Sequence, residues 1–152
     1  MNVPGFHFKL ERVRAVRERA EQLAKQDLAE AISRHSDTEA DLRATEALLE
    51  QAHEQQRTGA TTAESVDAGE LVAGQAYVER IEAQRANRAR DLQTRETEVA
   101  ARDAQLTKAA GEREMLERLR ERRRSEHEQE TSLREQGVLD EVAATNFERS
   151  RA

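Results

Sequence analysis

The chain has 152 residues, of which 36% are hydrophobic and 3% aromatic, and it carries a net charge of −6. Ala, Leu, Glu, Lys and Arg make up more than half of it, the composition of long helices and coiled coils. So little apolar volume excludes a thick globular core, because burial would not offset the entropy of ordering the chain, but it suffices for a narrow helix–helix seam. The acidic balance argues against bulk nucleic-acid binding, and the lack of Cys excludes disulfides and thiolate metal sites. No apolar run approaches membrane-spanning length, and the N-terminus has no basic region followed by an apolar one, so it does not read as a secretory signal.

Residues 6–57 are expected to form the first helix. Phe6, Leu10, Val13, Val16, Ala20, Leu23, Ala24, Leu28 and Ala31 fall at three- and four-residue spacings. Leu28, His35, Leu42 and Leu49 then repeat every seven residues, with Ala31, Thr38, Thr45 and Ala52 as the companion column. These are the two columns of a helix–helix seam. The phase slips near Ala24, which predicts a local change of supercoil. Residues 58–65 break the pattern and are expected to form the tip loop. Gly59 suits the left-handed position after a helix. Thr61 with Glu64, or Asp67 with Glu70, would open the next helix.

Residues 66–148 are expected to form the second helix. Val78, Arg85, Leu92, Val99 and Leu106 share one heptad column, and Ile81, Arg88, Arg95, Arg102 and Ala109 share the other. Arginines on a seam must snorkel out of it, so the interface should be shallow. Gly69 and Gly74 weaken the first turns, and Gly111 and Gly137 are candidate bends. A short loop folds the helices back antiparallel. The fold class is therefore all-α: one coiled-coil hairpin over residues 1–152, with the second helix the longer. At 1.5 Å per residue, it overhangs the first by roughly 30 residues. Two Arg-rich stretches, Lys9 to Arg19 and Arg113 to Arg124, meet at the open end. Beyond them Leu133, Val138, Leu139, Val142, Ala143 and Phe147 form an apolar stripe, part of which is expected to lack a partner within the hairpin.

No catalytic constellation stands out. His7, His35, His53 and His127 lack metal-site spacing, and carboxylates on exposed helices are not desolvated enough for acid–base work. The chain is read as a non-enzyme with no cofactor.

Four ordered segments carry a family resemblance. Phe6-x-Phe8-x-Leu10-Glu11-x-Val13 resembles the opening of the FliJ family of the flagellar type III export apparatus. Gln75-Ala76-Tyr77-Val78-Glu79-Arg80-Ile81, within the stretch from Thr62, is similar to its second-helix start. Glu114-x-Leu116-Glu117-x-Leu119-x-Glu121-Arg122-Arg123 resembles its basic segment, and Glu135-Gln136-x-x-Leu139-Asp140-Glu141 its C-terminal box. Gly137 stands where the family usually has Lys or another helix former.

The resemblance implies a hairpin similar to the central stalk of rotary ATPases. It implies that the open end enters the flagellar export ATPase ring, through Phe6, Phe8, Leu10, Arg14, Arg17, Arg118, Arg120, Arg122, Arg123 and Arg124. It implies that Tyr77 and Ile81 meet the linker of the export-gate membrane protein, although Tyr77 also suits a seam-flanking role and Ile81 the seam itself. It implies escort of export chaperones, a role in motility and chemotaxis, and a cytoplasmic place at the inner face of the membrane, held there by partners. Two other readings are an injectisome stalk and a self-associating structural coiled coil.

Overall fold

The computed structural model describes residues 5–62 and 67–151, without the side chains of Thr62 and Arg151. Two helices, α1 (Glu11–Thr62) and α2 (Ala68–Arg151), pack against each other as a helical hairpin, and no strand occurs among the described residues. Their contacts divide into two units, Leu23–Leu106 and Met1–Gln22 with Thr107–Ala152.

Leu23–Leu106 contains the apolar part of the seam. Ala52, Val78 and Ile81 form a buried cluster, with Leu49 packed on it. Ala31 and Thr45 are also buried, and Leu28, His35, Leu42, Leu92, Val99 and Leu106 are half-buried. Both heptad columns read from the sequence are the ones that face inward. The arginines in those columns do snorkel. Arg85 reaches Glu46 at 3.1 Å, Arg88 reaches Asp41 at 2.7 Å and Arg102 reaches Asp27 at 3.5 Å. Each guanidinium leaves the seam and meets a carboxylate on the opposite helix, which fixes the register that an arginine column alone leaves open.

The other unit corrects the expected apolar phase. Leu10, Val13 and Val16 are exposed, and so is Leu23 at the start of the first unit. The half-buried Arg14 and the buried Glu21 face α2 instead. Arg14 and Glu21 stand fourteen and seven residues before Leu28. The heptad column therefore continues without the expected slip, but with charges in it. Apolar spacing misled here because the inward positions are filled by ion-paired side chains.

The helix boundaries also differ from those expected. α1 begins at Glu11 rather than residue 6, with the N–H of Glu11 donating to the Phe8 carbonyl at 3.1 Å. A helix would turn Phe6 and Phe8 to different faces, whereas an irregular approach lets both reach α2. α1 runs through Gly59 to Thr62. No described glycine has positive φ, so Gly59 does not play the terminating role expected of it. The Thr61 hydroxyl donates to the Arg57 carbonyl at 2.7 Å within this last stretch. Asp67 precedes α2: its carboxylate accepts the Gly69 N–H at 3.2 Å and its carbonyl the Leu71 N–H at 3.2 Å, as a cap does. The Thr61–Glu64 start and residues 63–65 of the expected tip loop lie partly or wholly outside the described residues.

Gly111 and Gly137 lie inside α2, and a Cβ built on either meets nothing within 4 Å. Alanine at each position should therefore stabilise the hairpin by about 0.5–1 kcal/mol, since glycine loses more backbone freedom in a helix. Thermal melts of G111A and G137A followed by circular dichroism check this; a lower midpoint would show that the missing side chains matter.

Candidate functional site at the open end

The open end is built from the segment before α1, the first turns of α1 and the middle of α2. Phe8 is buried, and the Phe6 ring lies 5.8 Å from that of His127, tilted by 43°. An open cleft of about 610 Å³ forms here, lined by Phe6, Phe8, Leu10, Leu119, Arg123 and His127 among others. The cleft thus gathers four residues that the sequence resemblance assigned to one interface. Leu119 and His127 were missed. His127 could have been found by continuing the Val99–Leu106 column through Arg113 and Arg120.

Beneath the cleft, charges close a ring. Arg14 lies 2.7 Å from Glu11 and 3.7 Å from Glu117; Arg120 lies 3.5 Å from Glu117 and 3.8 Å from Glu11. Arg17 pairs with Glu112 at 2.7 Å, and Arg113 with the buried Glu21. Arg14, Arg17 and Arg120 are therefore already engaged in holding α1 to α2. The outward arginines are different. Among the described residues Arg118 pairs only along its own helix, with Glu114 at 2.6 Å; so do Arg123, with Glu126 at 3.1 Å, and Arg124, with Glu128 at 2.9 Å. Arg122 is exposed and has no ion-pair partner among the described residues.

These pairs set the titration of the hairpin. The Arg14 hydrogen bond, with the Arg14 and Arg120 charges behind it, holds Glu11 below its ordinary value of 4.5. Arg95 does the same for Glu98 through a hydrogen bond, with the Arg34 charge adding to it. Conversely, Glu11 holds Arg14 above its usual value and Glu21 holds Arg113 there. A carboxylate depressed on folding gives stability that is complete above its unfolded pKa and is lost as pH falls through the folded one. The hairpin should thus lose stability as pH drops below about 4.5. Urea midpoints from pH 7 to pH 3 check it: E11Q/E98Q should flatten the acid limb, and an unchanged limb would contradict the assignment.

Near the tip, within the other unit, Leu71, Val72 and Tyr77 are exposed, and the Arg80 guanidinium lies 5.8 Å from the Tyr77 ring centre. Ile81, by contrast, is only 3% exposed. It is a seam residue and offers no surface to a partner, which corrects its expected gate contact. The C-terminal box, Glu135, Gln136, Leu139, Asp140 and Glu141, lies along the exposed end of α2.

The family model of the flagellar FliJ protein matches residues 6–152. The chain belongs to the FliJ family. It is accordingly a component of the flagellar protein export machinery. The match runs from Phe6 in the cleft, through both helices, to the exposed end of α2. Membership of the flagellar family takes the place of the injectisome reading. No curated protein and no solved structure matches the chain. Among the described residues no helix is long and apolar enough to cross a membrane, and no group of three His, Cys, Asp or Glu could hold a metal ion.

Proposed function

We propose that the chain is a non-enzymatic stalk of the export apparatus whose open end engages the ring of the flagellar export ATPase. The observation that carries this is the cleft, where Phe6, Phe8, Leu10 and Arg123 come together, on the same stretch of α2 as the exposed Arg118 and Arg122. Apolar side chains in a concave site give an anchor, and guanidinium forks beside it suit carboxylates or backbone carbonyls of a partner. Arg14, Arg17 and Arg120 act indirectly, by keeping the two helices together under that surface. Arg124, exposed and paired with Glu128, follows Arg123 along α2.

In the same reading, Tyr77 with the exposed Leu71 and Val72 meets the linker of the export-gate membrane protein. The C-terminal box supports escort of export chaperones. The protein then works in the cytoplasm at the inner face of the membrane, brought there by partners. Photo-crosslinking tests the two contacts separately. A photoreactive residue at position 122 should capture the ATPase and one at position 77 the gate linker. Capture of neither partner from either position would overturn the proposal.

A further inference from the structure

Two exposed patches in the open-end unit complement each other; the first is left over from these roles, and the second shares Glu135, Leu139 and Glu141 with the C-terminal box. On α1, Val13 and Val16 face solvent, 43% and 65% exposed. Arg12 stands four residues before Val16 and Arg19 three residues after it, spacings that place all three on one side of a helix. Neither arginine has an ion-pair partner among the described residues. On the exposed end of α2, Val138, Leu139 and Val142 are likewise open to solvent. Glu135 and Glu141 stand three residues either side of Val138, and neither has an ion-pair partner among the described residues. One patch is apolar with basic flanks, and the other is apolar with acidic flanks.

The spacing of the patches matters as much as their charge. Arg14 faces Glu117, so the α1 patch sits level with that part of α2. Val138 lies 21 residues further along α2, about 30 Å at 1.5 Å per residue. A hairpin cannot bring its own two patches together across that length of continuous helix. Two copies laid antiparallel, with a two-fold axis near the level of residue 128, bring the α1 patch of each against the α2 patch of the other. Both contacts form at once, and the assembly closes.

We propose that the end of α2 docks on the α1 patch of a second copy, giving a reciprocal antiparallel dimer. Small apolar patches with exposed ion pairs make a weak interface that salt screens. The dimer covers the flank of α1 beside the ATPase-facing cleft, so it would hold the protein in reserve until the ring competes for it.

Sedimentation velocity on the full chain over a range of concentrations, at low and high salt, tests the proposal. A monomer–dimer equilibrium that weakens with salt is expected. R12E/R19E should raise the dissociation constant roughly tenfold or more, as paired interface charges do. Adding E135R/E141R to the same chain should restore association, which a mere folding defect in the first variant would not allow. A monomer at every concentration at low salt would overturn the proposal. So would a dimer indifferent to both reversals, or one that R12E/R19E breaks and E135R/E141R fails to restore.

Discussion

Ile81→Ala lowers the stability of the hairpin by about 2–4 kcal/mol, the range for truncating a buried aliphatic side chain. Ile81 and Val78 are each 3% exposed and pack with Ala52 and Leu49. Much of the remaining seam is alanine, threonine or snorkelling arginine, with little volume that could collapse into the vacated space. The thermal midpoint should fall by roughly 5–10 °C. Tyr77→Ala is the contrast. The residue is 41% exposed and its ring is met by Arg80, so the midpoint should barely move while affinity for the gate linker falls. Melts of the two variants decide it: equal midpoints would mean that the Ala52–Val78–Ile81 cluster does not hold the helices together.

Replacing Arg118, Arg122 and Arg123 with glutamate should remove stimulation of the export ATPase, at least tenfold in the excess rate if each lost charge contact contributes on the order of 1 kcal/mol. Helicity should be retained. Among the described residues Arg118 and Arg123 pair only with neighbours on their own helix, and such exposed pairs contribute little to stability. Arg14→Glu or Arg120→Glu should behave differently. Either change opens the Glu11–Arg14–Glu117–Arg120 ring and sets like charges against each other across the helices. Stability and stimulation should then fall together. Hydrolysis assays beside melts separate the groups; full stimulation by the R118E/R122E/R123E variant would remove these arginines from the interface.

Much of this was legible in the sequence, and the exceptions have physical causes. The columns through Leu28 and Ala31 on α1, and through Val78 and Ile81 on α2, are inward because apolar residues repeat every seven positions. The same rule failed at Val13 and Val16. There Arg14 and Glu21 hold the inward positions, and an ion-paired charge gives no apolar signal. Helix register was hidden for the same reason: an arginine column tolerates a slip until Arg85, Arg88 and Arg102 find Glu46, Asp41 and Asp27. Gly59 reads as a terminator by propensity, yet α1 continues through it, because a single glycine costs only about 1 kcal/mol. At the site, the sequence named Phe6, Phe8, Leu10 and Arg123 through the resemblance. It could not separate Arg14, Arg17 and Arg120, which face the other helix, from Arg118 and Arg122, which do not. That separation depends on the direction of each side chain around the helix, and a run of arginines conceals it.

The most direct test of the central claim is to add the purified protein to the export ATPase of the same organism at near-stoichiometric ratio. Hydrolysis and the population of hexamers are measured on one sample. The stalk reading predicts that both rise together and saturate near the stoichiometric point. A folded hairpin that changes neither quantity would contradict it.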